Sequence, residues 1–311
     1  MSVITPATHH EPMREELSRS PDLQSIPQSW RLPLFAALVI ISIAFWWTSL
    51  VSLFALASGD EQYTHILLIL PVSAALILLE WKSLALSTRP SPTVGLAWLI
   101  VAATVNVAVR WRALQSTDLQ LSLNILVLVA WWLAAFNFCF GTRAFRRAIF
   151  PLCFLFWMVP LPSIVLTPIV TLLQQGSAAS AHLFFAAVGI PVAQRGMLIH
   201  IPGLTLEVAP ECSSIRSSMM LIVTTMVLAH SLLRSSWRRI AVVVAAIPLA
   251  VAKNGLRIFV LGVLATRVNP GFLTGRLHRH GGIVFFLIAL AAIFLLLWIL
   301  RRREIRSHES A

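Results

Sequence analysis

The sequence predicts an all-α polytopic membrane protein. Hydrophobic residues make up 58% of the 311 positions and charged residues only 12%, which is too apolar for an ordinary soluble globular domain. The apolar residues are gathered into runs of roughly 17 to 25 residues, the length that crosses about 30 Å of hydrocarbon. We place about eight transmembrane helices, near residues 33–57, 64–80, 93–109, 119–140, 149–173, 213–233, 240–266 and 281–300.

The polar ends and the loops set the predicted domain limits and the orientation. Residues 1–32 mix both charge signs with several prolines and are predicted to form a disordered cytosolic tail. Residues 33–300 form the predicted transmembrane domain, and residues 301–311 a basic cytosolic tail. With the N-terminus inside, fifteen of the 24 Lys and Arg residues fall in inside segments and six in outside segments. This bias predicts that both termini are cytosolic.

The net charge of +12 raises the question of a nucleic-acid partner. Nucleic-acid binding needs basic residues that cluster on one folded surface, whereas these residues occur in short groups between apolar runs. We therefore expect membrane lipid, and no nucleic acid, as a partner.

A longer outer segment lies between the fifth and sixth runs. Its first part, including the apolar stretch from His182 to Val188, predicts an amphipathic helix on the outer interface. The following residues, 189–210, alternate apolar and polar side chains around Gly196, Pro202 and Gly203, a pattern typical of a small hairpin-like lid. We therefore expect a short extracytoplasmic cap before the sixth span, directly ahead of Cys212.

Cys212 is the cysteine that the predicted topology places at the outer mouth, at the start of the sixth span. An unpaired thiol in an oxidising compartment is a candidate reactive group. The plainer interpretation, a small hydrophobe in a helix interface, is kept for Cys139 and Cys153, which fall near cytosolic ends of spans. Cys212 lies at a predicted helix N-terminus, and Arg216 follows four residues later; both features favour the thiolate.

The seventh span carries Lys253, Asn254 and Arg257, although each buried Lys or Arg costs roughly 2.5 to 3.5 kcal/mol on insertion scales. Their spacing puts them on about the same face, so that face is predicted to line a protein interior or a watery cleft. The alternative is a polar seam that joins helices. His278 and His280 stand at the outer entrance of the eighth span, where a thiol nucleophile would need a proton acceptor and a stabiliser for an oxyanion. The outer His and Cys residues lack metal-ligand spacing, so we expect no metal.

Four blocks of sequence resemble the exosortase and archaeosortase family of membrane cysteine transpeptidases. They are Tyr63-Thr64-His65, the run IFPLCFLFWMVPLPS, the run EVAPECSSIRSS around Cys212, and the pair NGLR and LHRHGGIVFF. The resemblance covers roughly residues 60–300. It implies Cys212 as the acyl-thioester nucleophile, Arg257 as the arginine of the site and His278 as the third residue, with His280 competing for that role. Arg216, Asn254, Glu207 and His65 are secondary candidates.

The resemblance also implies a substrate and a location. The substrate is a secreted protein with a C-terminal sorting signal of the PEP-CTERM type: a Pro-Glu-Pro-like motif, one transmembrane helix and a basic cluster. Cleavage takes place at the extracytoplasmic face of the bacterial inner membrane, without a cofactor. The acyl group passes to an amine on a lipid or polysaccharide acceptor, or to water, and the residues do not distinguish transfer from hydrolysis.

Two other functions compete with this one. A Lys and Arg seam inside a span is also how anion pathways are built, which favours a membrane transporter. A non-catalytic component of exopolysaccharide assembly would use every polar group for packing. Replacement of Cys212 by alanine separates these classes, since a transporter or a scaffold tolerates the loss of one sulfur atom.

Overall fold

The computed structural model describes residues 28–85, 92–111, 116–208, 215–273 and 282–309. Within these ranges the chain forms ten α-helices, one small sheet and three 3-10 turns. The helices are α1 (Gln28–Phe45), α2 (Trp47–Gly59), α3 (Ile66–Ala85), α4 (Pro92–Trp111), α5 (Thr117–Arg147), α6 (Ile149–Phe154), α7 (Ser163–Ala187), α8 (Ile215–Leu232), α9 (Ser236–Arg267) and α10 (Gly282–Glu309). The predicted helical membrane class is confirmed.

Six of the described helical segments are long and apolar enough to cross a membrane. They are Glu61–Trp81, Thr117–Arg147, Ser163–Ala187, Ile215–Leu232, Ser236–Arg267 and Gly282–Arg306. The bent pair Ser29–Phe45 and Trp47–Gly59 raises the number to seven if it counts as one span. The predicted number of eight is reached only if the shorter apolar helix Thr93–Val109 is added.

The predicted fifth span, residues 149–173, is wrong in its limits. The chain forms α6 and the 3-10 turn Leu155–Met158, leaves helical geometry, and starts α7 at Ser163. Pro160 and Pro162 explain the break, since proline lacks an N–H and disfavours helical backbone at the residue before it. The segment predicted as a separate interfacial helix therefore belongs to α7, which continues to Ala187.

A three-stranded antiparallel sheet lies where the hairpin-like lid was predicted. Its strands are β1 (Ala193–Arg195), β2 (Leu198–Ile201) and β3 (Leu204–Glu207), in the order β1-β2-β3. Gly196 and Gly203 turn the chain between strands with φ of 60° and 80°, a region that glycine enters without steric cost. Ile199 and Ile201 point into a cluster with Phe185 of α7. The sheet is thus packed on the helices by its own apolar face.

The described chain divides into two compact units. The first takes residues 28–47, 74–85, 92–111 and 126–153. Its core gathers Phe136, Cys139 and Phe140 of α5, with Phe35 of α1 packed against them. Gly95 lets α4 approach α5 at Phe138, where a Cβ atom would meet Phe138 N at 2.6 Å.

The second unit takes residues 48–73, 116–125, 154–208, 215–273 and 282–309. Helix α9 is central in it, since it contacts α7, α8 and α10. Small residues of α9, including Ala246 and Ala250, pack with Leu221 of α8 and Ala289 of α10. The charged face predicted from the sequence therefore belongs to the central helix of this unit.

The first and last described helices run past the predicted limits of the transmembrane domain. Helix α1 already begins at Gln28, and α10 continues through the arginines to Glu309. The described part of the predicted basic tail is therefore helical, while residues 1–27 lie outside the described residues.

Candidate functional site

Helix α9 positions the charged residues of the site. Lys253 is 5% exposed and Asn254 is 1% exposed, although both are polar residues in an apolar helix. Arg257 is one helical turn further on and partly buried. The spacing of four residues puts Lys253 and Arg257 on one face, where two like charges repel each other. The structure therefore keeps two neighbouring positive side chains within the second unit.

Two hydrogen bonds connect this part of α9 to the neighbouring helices. Lys253 Nζ donates to Ser217 Oγ of α8. Asn254 Nδ2 donates to Ser177 Oγ of α7 over 3.0 Å. A buried polar group without a partner is costly, so these contacts fix the register of the three helices. Lys253 and Asn254 thus form the polar seam that was the alternative interpretation of the charged face.

Gly255 brings the backbone of α9 against α7. A Cβ atom at this position would meet Ser180 Cβ at 2.5 Å and Ala181 N at 2.8 Å. Gly255 has no side chain, and at this position the backbones of α9 and α7 approach closely. This contact gives the glycine of the NGLR block a packing role, next to Asn254 and two residues before Arg257.

Arg216 lies in the first turn of α8 and faces an acidic residue that the sequence analysis did not connect with it. Arg216 Nη1 is 3.3 Å from Glu61 Oε1, and the two side chains are 51% and 81% exposed. Glu61 begins the 3-10 turn Glu61–Tyr63. The guanidinium predicted to favour the Cys212 thiolate therefore already has a carboxylate partner.

Hydrogen bonds of the flanking residues fix the turn that contains Glu61. Asp60 accepts a hydrogen bond from Gln62 N over 2.9 Å, and Tyr63 Oη donates to Leu161 O over 3.0 Å. His65 is 9% exposed, and its Nδ1 lies 3.2 Å from Gln62 O. His65, a secondary candidate, is thus engaged with its own turn.

Glu207 ends β3 and is exposed, opposite Leu198 in the register of the sheet. In the described part of the chain its carboxylate forms no ion pair with Arg216 or Lys253. The structure therefore does not join this secondary candidate to the charged residues of α8 and α9.

Gln174 is a buried polar residue that the sequence analysis assigned to an interfacial segment. It is 5% exposed, and its Nε2 donates to Val208 O over 2.8 Å. Val208 is the last described residue before 209–214. The bond ties α7 to the chain four positions ahead of Cys212. A glutamine in an apolar helix was the available signal, since such residues usually find a partner inside the protein.

Three of the predicted site residues lie outside the described residues: Cys212, His278 and His280. Cys212 belongs to residues 209–214, between Val208 and the start of α8 at Ile215. The two histidines belong to residues 274–281, ahead of α10. Of the three catalytic predictions, the structure describes Arg257.

The two remaining cysteines behave as ordinary residues of the first unit. Cys139 is fully buried, and Cys153 is exposed on α6. Cys139 packs with Phe136 and Phe140 in the aromatic core of α5. This matches the packing role predicted for Cys139, whereas Cys153, for which the same role was predicted, is exposed.

A protein-family model described as transmembrane exosortase (Exosortase_EpsH) matches residues 46–295. No curated protein and no solved structure matches the chain.

Proposed function

Because this chain belongs to the transmembrane exosortase family, we propose that it is a cysteine peptidase and transpeptidase with Cys212 as nucleophile. The observation that carries the proposal is the extent of the family match, since residues 46–295 include Cys212, Arg257 and His278. The polar contacts of α9 support it, because they hold the helix of Arg257 in one register against α7 and α8.

The proposed reaction starts with attack of the Cys212 thiolate on the scissile carbonyl carbon of a C-terminal sorting signal. A C–S bond forms, and the carbonyl oxygen takes the negative charge of the tetrahedral intermediate. Arg257 stabilises that oxyanion by donating hydrogen bonds from its planar guanidinium. The intermediate collapses with cleavage of the C–N bond, and His278, or His280, supplies the proton that the leaving amine takes.

The second half of the reaction releases the enzyme. An amine of an acceptor, on a lipid or a polysaccharide, attacks the thioester carbonyl and gives up a proton to the histidine. The C–S bond breaks and the thiolate is restored. Water in place of the amine gives hydrolysis. The acceptor is therefore the reactant that decides between transfer and cleavage alone.

The proposed location is the bacterial inner membrane, with both termini cytosolic and the site at the extracytoplasmic face. The excess of Lys and Arg in the predicted inside segments supports this orientation. The substrate is a secreted protein that presents a Pro-Glu-Pro-like motif, a transmembrane helix and a basic cluster to that face.

The test is mass spectrometry of secreted proteins from cells that express the chain together with a tagged protein bearing such a signal. We expect a new C-terminus near the Pro-Glu-Pro-like motif. The matched control is Cys212→Ala at equal membrane level, which removes one sulfur atom and leaves no nucleophile. Equal processing by the wild type and the variant would favour the transporter or the non-catalytic role in exopolysaccharide assembly.

A further inference from the structure

Seven arginines meet at one end of the second unit, where the turn between α8 and α9 contacts the last turns of α10. We call this surface the arginine patch. It consists of Arg234, Arg238, Arg239, Arg301, Arg302, Arg303 and Arg306. Arg238 Nη1 donates to Leu300 O over 3.4 Å, so the two parts of the patch are in direct contact. The patch is a feature of the folded unit and not only of the sequence near one helix end.

The patch has far more positive than negative charge. Glu304 is the acidic residue among its described side chains, and it is 8% exposed. Its carboxylate accepts from Arg234 N at 3.1 Å and Ser235 N at 3.0 Å, and lies 3.5 Å from Arg238 Nη1. Over residues 234–239 and 301–309, seven arginines against two glutamates, Glu304 and Glu309, leave five net positive charges. Glu304 is engaged with the backbone of the turn and with Arg238, and the patch keeps a net positive charge that attracts anions.

Two exposed tryptophans indicate the depth of the patch in a bilayer. Trp298 and Trp237 are 50% and 74% exposed, and tryptophan is enriched at the level of lipid headgroups. The guanidinium carbon of Arg302 lies 3.7 Å from the centroid of the Trp298 ring, a cation–π contact. Tryptophan at this level predicts that the neighbouring guanidinium groups lie near the lipid phosphates, a depth that a nucleic acid in bulk solvent does not reach.

We propose that the arginine patch is a binding site for the headgroups of anionic phospholipids. A guanidinium donates two parallel hydrogen bonds to a phosphate, which an ammonium ion does not. Clusters of four to eight basic residues beside a membrane helix attract anionic lipids, at about 1 kcal/mol for each Lys or Arg. The site is independent of the chemistry proposed for Cys212.

The test uses the full chain purified in neutral detergent, with lipid binding followed by native mass spectrometry. The probes are dioleoyl phosphatidylglycerol, dioleoyl phosphatidylcholine and glycerol phosphate, with a single-stranded oligonucleotide as a further arm. We expect several phosphatidylglycerol molecules to bind and to be displaced as salt is raised. The double variant Arg301→Gln, Arg303→Gln should bind this lipid about 30-fold more weakly.

The matched control is Arg143→Gln, Arg146→Gln, which removes two exposed arginines from α5 in the first unit. It should bind phosphatidylglycerol within twofold of the wild type. Equal losses in the two double variants would overturn the proposal, as would equal binding of phosphatidylcholine, or binding of glycerol phosphate or the oligonucleotide as tight as that of the lipid. If the first double variant does not fold, a salt-independent affinity of the wild-type protein for phosphatidylglycerol overturns it equally.

Discussion

Arg216 of α8 and Glu61 form an ion pair of 3.3 Å, so the cation nearest in sequence to Cys212 is shared with a carboxylate. If Arg216 favours the thiolate, removal of its acidic partner leaves more of its positive charge for the sulfur. We expect Glu61→Gln to raise the rate of Cys212 alkylation a few-fold, and Arg216→Gln to lower it. The measurement is the rate of modification by iodoacetamide at neutral pH, with Cys139 and Cys153 replaced by serine in every variant.

Neither variant should change the stability of the protein much. Both side chains are more than half exposed, and an exposed ion pair contributes less than about 1 kcal/mol after screening. If Glu61→Gln and Arg216→Gln both leave the alkylation rate unchanged, Arg216 has no role in the activation of Cys212.

Lys253 and Ser217 are expected to be coupled in stability. Ser217→Ala removes the described partner of a buried amine, and such a loss costs about 1 to 3 kcal/mol. Lys253→Met keeps an unbranched side chain, one heavy atom shorter, and removes the amine. In that background Ser217→Ala should cost less than about 0.5 kcal/mol, because no donor is left unpaired. Chemical or thermal unfolding of the four proteins in one detergent measures the coupling, and equal costs in both backgrounds would contradict it.

Gly255→Ala tests the close contact of α9 and α7. An added methyl group would overlap Ser180 and approach Ala181 N at 2.8 Å, and overpacking costs about 1 to 3 kcal/mol. Gly282→Ala is the control, since a Cβ atom there meets nothing within 4 Å. We expect the first variant to lower the unfolding temperature and the second to leave it unchanged or slightly raised. Similar unfolding temperatures for both would argue against the contact.

Arg257 is predicted to act through the shape of its guanidinium as well as its charge. Arg257→Lys keeps the charge but loses the planar fork of donors. For a catalytic Arg257, this variant should reach the membrane at near-normal level and process a co-expressed tagged substrate as poorly as Cys212→Ala. A structural role predicts the opposite pattern: lysine restores processing, and alanine lowers the amount of protein first.

The same processing assay assigns the third residue of the site. His278→Ala should abolish processing while His280→Ala retains most of it. Loss with His280→Ala alone would move the role two residues along the chain. Processing is normalised to the amount of each variant in the membrane.

The orientation of the chain is tested by cysteine labelling. A membrane-impermeant maleimide applied to the periplasmic side should label Cys212 and not Cys153. Cys153 is the useful control because it is exposed, whereas Cys139 is buried and would not react from either side. Labelling of Cys212 only after the cytosol is opened would reverse the proposed topology.

The helical membrane class could be predicted because apolar runs of sufficient length have few other stable structures. The limits of the fifth span could not be predicted from the apolar runs. The run of residues 149–173 is apolar throughout, yet the chain breaks near Pro160 and Pro162 and joins the second half to the helix of Gln174. Hydropathy measures the transfer of side chains and does not register where a backbone donor is missing.

The partners of the charged residues could also not be predicted from the sequence. The buried face of Lys253 and Asn254 follows from helical periodicity and the cost of a charge in lipid. The choice of Ser217 and Ser177 as their partners depends on the rotation and the shift of α7 and α8 against α9, which no local pattern specifies. The pair of Arg216 with Glu61 joins residues far apart in the chain for the same reason.

The carboxylate of Glu304 stabilises a turn that is synthesised well before Glu304 itself. It accepts hydrogen bonds from the backbone N–H groups of Arg234 and Ser235, just ahead of α9, yet it belongs to α10, which the ribosome makes after α9. While α9 enters the bilayer, those two N–H groups lack this acceptor, because Glu304 has not yet been translated. The turn between α8 and α9 therefore gains these two hydrogen bonds only after α10 is made. A chain cut short before residue 304 leaves these two N–H groups to water or to another acceptor.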